Sequence, residues 1–561
     1  MSTLGLKDYQ ENRGVDGVYD KRNTLNNLTG KQWLFSTKTV IPKAYSSERR
    51  QGNIEFKSPL LPEAFCQEII ETFSKPGETV LDPSPGLGTT MLGIHLANSG
   101  ESGPNRKYIG IQSDDDLIKE NLSLLRQRNE LSGELMRETM DSLANLPQNS
   151  VDLIFSDIPI VSNTSLLDPD RAQLSPSVHS EAKVQLVHEL LAFFCPVILE
   201  AVKKLKINRY LVLTLPETIE SGYPALNFTL SSLFVHNFQL VGLPLKAERI
   251  WFIPEPQKGF EEFITISRRI LVFRNEEGFL YRPKQFPALF NGQIPIGRTE
   301  IIHKAYPPSF NHKLRSQHGG MKPPELCQLL IERYSDHRND LVLDPFVGVG
   351  GTLLGASLSG RKAIGIDINA QWREIYHQVT HESGFPEQEF IVGDSRAGIP
   401  DVISDGSAGL ILTDVPYWAM DKLKKTRGRY SRAGEESKGK LHSSLKRFNQ
   451  ADTISLGEWK SLLNDVFTLC YPKLAPNKYC VVFIGNMYRT IIEERAGKAR
   501  KIGKYLMLSS ILARILLEIG YQFEREIIWY SPDKSLHVFG YPYSYIPSIV
   551  HQSILVFNKG K

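Results

Sequence analysis

Apolar residues in this chain gather in short β-branched runs, separated by stretches whose apolar positions fall three and four apart. TVLDP (79–83), YIGI (108–111), VDLIFSD (151–157) and YLVLTL (210–215) read as buried strands. LVLDP (341–345), AIGI (363–366), AGLILTD (408–414) and YCVVFI (479–484) read the same way, while TLLGASLSG (352–360) carries helical spacing. Strand–helix alternation of this kind predicts a mostly parallel, doubly wound α/β sheet. IIWY (527–530) and SILVF (553–557), separated by a loop, predict an antiparallel hairpin at one edge.

The pattern is written twice. IPKAY (41–45) answers IHKAY (302–306), and PEAFCQEIIETFSKPGETVLDP (62–83) aligns without gaps to PELCQLLIERYSDHRNDLVLDP (324–345). FSDIP answers LTDVP, LKINRYLVLTLPE (205–217) answers LAPNKYCVVFIGN (474–486), and RILVFRN (269–275) answers SILVFNK (553–559). The offset is 261 residues at the first pair and 284 at the last, so loops differ while element order is kept. The expected organisation is an amino-terminal extension (1–39), a first domain (40–275), a linker (276–300) and a second domain (301–561). An insertion at 419–457 belongs to the second domain.

Composition narrows the field. A chain of 561 residues with 41% apolar and 23% charged positions is globular and exceeds what one core usually serves. Net charge is only +4, so a polyanion partner has to be argued from local clusters. Five cysteines with no CxxC pair and no Cys/His spacing argue against a metal site and fit a reducing compartment. The start has no apolar signal region, and no apolar run approaches the ~20 residues needed to span a bilayer. A cytoplasmic protein without a membrane partner is the expectation.

Candidate chemistry lies at strand ends, where open α/β sheets bind ligands. VLDPFVGVGGT (342–352) places Gly348 and Gly350 for close backbone approach to a ligand. Asp367 ends the next strand, placed to accept ribose hydroxyls, and Asp394 in FIVGDS ends a third, placed for an adenine amino group. Three successive acids beside a Gly loop favour an adenosine-containing cofactor.

DPFVGVGGT, IGID, GDS and TDVPYW, in that order, resemble the S-adenosylmethionine-dependent amino-methyltransferases that make N6-methyladenine or N4-methylcytosine in DNA. HGGMKPPELCQLLI (318–331) resembles that family's HxxQKP motif, with Met in place of Gln. The order here places the Gly loop before the catalytic loop, whereas many members place the catalytic loop first. The resemblance implies two tandem Rossmann-like class I methyltransferase domains. It also implies S-adenosylmethionine as cofactor, held by Lys322, Asp344, Pro345, Phe346, Gly348, Gly350, Thr352, Asp367 and Asp394.

An exocyclic amine is a poor nucleophile because its lone pair is delocalised into the ring. The resemblance implies that Asp414 and the carbonyl of Val415 accept its N–H bonds, and that Pro416 holds the turn. Tyr417 would stack on a base flipped from the duplex, and Trp418 would wall the pocket. Val415 stands where the family usually has Pro. Asp at the first position leans towards adenine N6. N4-cytosine or RNA-base methylation at the same site stays open, as does a non-catalytic nucleic-acid-binding subunit.

The first copy keeps Asp82, Gly86 and Gly88, but has Gln112 for Asp367 and Ile160–Val161 for Tyr417–Trp418. It is expected to be a degenerate partner that shapes the DNA surface. Residues 419–450 hold ten Lys/Arg against three acids. In that segment Lys422, Lys424, Lys425, Arg427, Arg429, Arg432, Lys446 and Arg447 are the expected nucleic-acid contacts. Restriction or defence, if coupled, would need a separate subunit. ERAGKARKIGK (494–504) is a second, weaker basic cluster.

Overall fold

In the computed structural model the described residues are 19–45, 61–86, 88–100, 103–112, 133–137, 140–158, 178–216, 227–254, 263–265, 268–277, 295, 297–336, 340–416, 418, 455–495 and 497–560. The buried runs form the strands the pattern predicts, because β-branched residues fit a pleated surface buried on both faces.

The first sheet contains β1 (Val40–Pro42), β2 (Thr79–Asp82), β3 (Lys107–Gln112), β4 (Gly133–Arg137), β5 (Val151–Asp157), β6 (Leu205–Pro216), β7 (Leu245–Phe252) and β9 (Arg268–Arg274). Their order is β4-β3-β2-β5-β6-β9-β7-β1, with β9 antiparallel to both neighbours. The second sheet contains β8 (Phe263–Thr265), β10 (Arg298–His303), β11 (Leu341–Asp344), β12 (Lys362–Asp367), β13 (Glu389–Val392), β14 (Ala408–Asp414), β15 (Leu474–Ile484), β18 (Gln522–Tyr530) and β19 (His551–Asn558). Its order is β13-β12-β11-β14-β15-β19-β18-β10-β8, with β19 antiparallel to both neighbours. A separate antiparallel ribbon joins β16 (Met487–Arg495) to β17 (Lys498–Leu506).

Strand for strand, the two orders match, so the repeat in the sequence is a repeat of fold. The expected antiparallel pair is β18–β19, but it is not the edge: β10 adds in parallel outside β18, as β1 does outside β7. IPKAY and IHKAY mark these two outer strands. β8, which lies in the first copy's part of the chain, pairs with β10 and so extends the second sheet.

The copies are interlocked. Val40, Ile250 and Phe252 of the first pack with Ile301, Ile528 and Tyr530 of the second in one buried cluster. By register, Val40 is the counterpart of Ile301, Ile250 of Ile528 and Phe252 of Tyr530. Full burial of each such side chain contributes about 1.5–3 kcal/mol. The amino-terminal strap fastens the same junction: Trp33 Nε1 donates to the Phe539 carbonyl (3.0 Å) and Tyr545 OH to the Ser36 carbonyl (2.7 Å).

A buried ion triad sits beside this cluster. The fully buried Arg269 guanidinium pairs with Glu248 of the first copy and Glu526 of the second. These acids occupy equivalent positions, opposite Leu271 and Leu555. Glu248 also accepts from Asn486 Nδ2 (3.0 Å) and Tyr505 OH (3.2 Å), and Glu526 from Ser553 Oγ (2.8 Å). All five cysteines are buried and free, as their spacing suggested. Among the described residues no helix is long and apolar enough to cross a membrane, and no His/Cys/Asp/Glu group is arranged to hold a metal.

Candidate active site

β11 ends at Asp344, and the chain turns through Pro345–Gly350 into the helix Gly351–Leu358. Gly348 (φ +52°) and Gly350 (φ +77°) both adopt the left-handed conformation that favours glycine. Space decides the matter as well. A Cβ on Gly350 would lie 2.3 Å from the Tyr376 ring, and one on Gly348 2.8 Å from His318 Nε2. The glycines therefore let protein side chains close over the loop, a reason the sequence did not reveal.

Asp344 is buried behind the loop. It accepts from Thr413 Oγ1 (2.6 Å), from the Phe346 N–H (3.0 Å) and from Thr352, and burial pushes its pKa up to about 7. Thr413 immediately precedes Asp414, so Asp344 braces the Gly loop against the end of β14. Asp367, at the tip of β12, accepts from the Gly348 and Asn369 N–H groups at 3.0 and 2.9 Å. Burial raises its pKa to about 6. Asp394 caps the helix Ser395–Val402 and is paired with Arg396 at 2.7 Å, whose guanidinium holds its pKa below the usual carboxylate range. Ser395 donates to the Pro345 carbonyl, tying this third strand end to the Gly loop.

Asp414 closes β14. Its carboxylate is ion-paired with Lys322, whose ammonium also reaches the Gly320 carbonyl (3.1 Å), and Gln552 Nε2 donates to Oδ1 at 3.4 Å. Lys322, expected among the cofactor contacts, lines the cavity but directs its charge to Asp414. Its backbone carbonyl accepts from the buried Arg315 guanidinium (2.6 Å).

Val415 in place of proline has a physical account. Its side chain is 1% exposed in the main core, and its N–H donates to the Phe483 carbonyl (3.4 Å), a bond proline lacks. One residue on, the Pro416 carbonyl accepts from Trp459 Nε1 (2.8 Å). The loop is anchored on both sides of the Val415 carbonyl. Trp418 carries the Arg489 guanidinium over its ring at 5.0 Å. Tyr417 and all eight basic residues expected to touch nucleic acid (Lys422, Lys424, Lys425, Arg427, Arg429, Arg432, Lys446 and Arg447) lie outside the described residues.

These elements surround one cavity of about 690 Å³, lined by the Gly loop, Asp344, Asp367, Asp394, Asp414, Val415 and Pro416. Its walls also include Ile366, Trp372 and Leu462, so it pairs apolar surface with convergent polar groups. Among the described residues, six carboxylic acids and two cationic side chains, Lys322 and Arg396, line it. Such a balance favours a cationic ligand.

The profile of the DNA methylase family (N6_N4_Mtase) matches residues 151–378 and 408–561, more than half of the chain. The chain belongs to the DNA methylase family. Both matched segments begin on the first residue of a loop-bearing strand, Val151 of β5 and Ala408 of β14. The type II methyltransferase M.BglII of Bacillus subtilis is 21% identical over 297 residues, 50% of this chain and 77% of that protein. The tRNA (guanine(10)-N2)-dimethyltransferase of Methanothermobacter thermautotrophicus is 26% identical over 176 residues, 31% of this chain and 43% of that enzyme. The chain spans less than half the length of several such relatives. A Thermus thermophilus 16S rRNA N2 G1207 methyltransferase, solved with AdoMet and guanosine, overlays with a TM-score of 0.23 at 14% identity, over 89% of this chain and 91% of that one.

The family's methyl donor is S-adenosylmethionine. The cavity fits it: acidic walls suit a sulfonium, and Asp367 keeps acceptor capacity beyond its two backbone bonds for ribose hydroxyls. Ionised Asp367 is the better acceptor, so cofactor affinity is expected to fall as pH drops through about 6. In the unliganded fold the sign reverses. A carboxyl whose folded pKa is raised costs stability as pH rises through that value. Calorimetric titration between pH 5 and 8 checks the first effect, with Asp367→Asn lacking the component near pH 6.

The first copy shows a different wiring. Asp82 is buried like Asp344, with a pKa likewise pushed up to about 7 by burial, and Gly86 and Gly88 repeat the left-handed turns. Asp157, the counterpart of Asp414, accepts from Thr214 and is paired with the buried guanidinium of Arg268 (3.3 Å). Arg268 is opposite Pro216, two places beyond Thr214. Gln552 extends the β15–β19 ladder to the equivalent place. One register position therefore holds Arg in one copy and Gln in the other. Gln552 and Trp459 escaped the sequence reading; aligning RRILVF with QSILVF would have exposed Gln552.

Proposed function

We propose that the second copy (301–561) transfers a methyl group from S-adenosylmethionine to an exocyclic amino group of a base flipped from duplex DNA, N6 of adenine in preference to N4 of cytosine. The first copy (40–275) is its non-catalytic partner. The observation that carries this reading is the meeting of Asp414–Val415–Pro416 with the Gly loop and Asp367 around one cavity.

Asp414 and the Val415 carbonyl accept the two N–H bonds of the amine and favour a tetrahedral nitrogen, so that its lone pair can attack. Lys322 and Gln552 orient the carboxylate, while the Phe483 and Trp459 bonds keep the carbonyl in place. As the new N–C bond forms, the amine's proton passes to Asp414. The bound cofactor supplies an activated methyl group and leaves as a neutral thioether. Tyr417 stacks on the flipped base, and the basic insertion 419–457 contacts phosphates. Type II methyltransferases and a type III Mod subunit among the relatives support a restriction or defence setting, with any nuclease on a separate subunit.

A silent first copy is supported by Ile160–Val161 in place of Tyr417–Trp418, and by Arg268 standing on Asp157 where the second copy sets the neutral Gln552 beside Asp414. Installing the same wiring in the second copy by Gln552→Arg is expected to lower methyl transfer about 10²-fold while cofactor binding persists. Steady-state transfer and cofactor calorimetry on that variant check it.

A second reading, RNA guanine-N2 methylation, is favoured by relatives described as tRNA (guanine(10)-N2)-dimethyltransferases. Labelled-methyl transfer to duplex DNA and to bulk tRNA separates the two. Label in DNA is expected, and label confined to tRNA would establish the second reading. No cofactor binding at all would leave a nucleic-acid-binding subunit.

A further inference from the structure

Between β15 and the helix Leu508–Ile519 the second copy carries the ribbon β16–β17. Because Phe483 of β15 pairs with Asp414, the ribbon leaves the sheet at the catalytic edge. Residues 487–506 hold six Lys/Arg against two Glu. Antiparallel pairing puts directly opposed residues on one face.

One face is committed to the protein. It carries Arg500, bonded to Glu277 at the start of the linker (2.5 Å), and Glu493, which holds Arg495 (3.0 Å) and Lys504. At the root, Tyr505 is buried against Glu248, and Lys246 Nζ donates to the Gly503 carbonyl (2.6 Å). The other face points outward beyond the root. Thr490, the pair Ile492/Lys501 and the pair Glu494/Ala499 are exposed there, Ile492 at 71%. Arg489 at the root is the residue that lies over Trp418 of the catalytic loop. The ribbon is thus clamped on one side, open on the other, and joined to the loop that meets the target.

We propose that the outward face of this ribbon enters the major groove of duplex DNA and reads the bases beside the target. This rests on the DNA reading above. A major groove about 12 Å wide admits a two-stranded ribbon. From Arg489 to Arg495 the ribbon extends about 20 Å at ~3.4 Å per residue, close to six base steps at the same rise. Its exposed side chains match groove chemistry: Lys501 for guanine acceptors, Glu494 for the cytosine amino group, Thr490 for either, and Ile492 for a thymine methyl. Lys498, exposed near the turn, suits a phosphate. Of the ribbon's cations Lys498 and Lys501 are exposed, against the exposed Glu494, and Ile492 is its one large exposed apolar side chain among the described residues; so polar a tip suits a DNA groove better than an apolar protein partner.

The test is the triple variant Thr490→Ala/Ile492→Ala/Lys501→Ala, read by modified-base sequencing of treated DNA and by KM for duplex. Relaxed preference at positions flanking the methylated base and a KM raised about tenfold or more are expected. An unchanged melting temperature and cofactor affinity certify the fold. An unchanged motif with unchanged KM overturns the proposal. If the wild type places no methyl group in DNA, the proposed function fails instead. The ribbon is then judged by duplex anisotropy, where a tenfold loss of affinity in the variant supports it and equal affinity overturns it.

Discussion

Asp414→Ala is expected to lower methyl transfer by about 10²- to 10³-fold, the range seen when one preorganised polar group at a reacting centre is removed. Cofactor binding should persist, because Asp367 and the Gly loop stand on other strands. Truncation also leaves the Lys322 ammonium without its carboxylate partner, while the bond to the Gly320 carbonyl is kept. Asp414→Asn separates the two effects. It keeps the shape and one acceptor oxygen but not the charge, so comparable losses in both variants would assign the effect to the carboxylate itself. Single-turnover transfer with saturating cofactor, alongside calorimetry, measures this. Transfer within about twofold of wild type in both variants would remove Asp414 from the chemistry.

Arg269→Met is expected to cost about 3–5 kcal/mol of stability, the usual result of deleting one partner from a buried ion cluster. Glu248 and Glu526 would then face each other in the core with no cation between them. Burial already raises the pKa of Glu526, with Glu248 adding to it, while Arg269 opposes both. Losing Arg269 raises it further, so the native state holds its proton to higher pH than the unfolded chain does. By linkage the variant's deficit should grow as pH rises and shrink in acid, where Glu526 is protonated. Thermal midpoints at pH 5 and pH 8 test this, and a further Glu526→Gln exchange should recover part of the loss at pH 8. Because the triad spans both copies, the two halves should lose their transition together. A deficit independent of pH, or below about 1 kcal/mol, would mean that the triad does not hold the junction.

Much of this architecture was legible in the sequence because duplication supplies an internal control. Each buried run had a counterpart, and matched runs became matched strands. The cavity was legible where strand ends carry acids, since the topology delivers those positions to one edge whatever the loops do. Four features were not. β10 and β8 add outside the antiparallel pair, and short outer strands carry no periodicity that fixes their neighbours. The need for Gly348 and Gly350 comes from His318 and Tyr376, two side chains brought over the loop only by tertiary packing. Val415 looked like a weakened proline, yet its N–H bond and core packing restrain the loop by other means. Gln552 lies 138 residues from the carboxylate it meets, and only strand register connects them.

The most direct measurement is identification of methylated nucleosides after the protein has acted on duplex DNA with isotopically labelled S-adenosylmethionine. Digestion and mass spectrometry should show labelled N6-methyladenine with the wild-type chain and with Asp157→Asn, and at least about 10²-fold less in the same time with Asp414→Ala. N4-methylcytosine as the product would correct the base. Labelled adenine at the wild-type level with Asp414→Ala, or its loss with Asp157→Asn, would place the chemistry in the wrong copy and contradict the assignment.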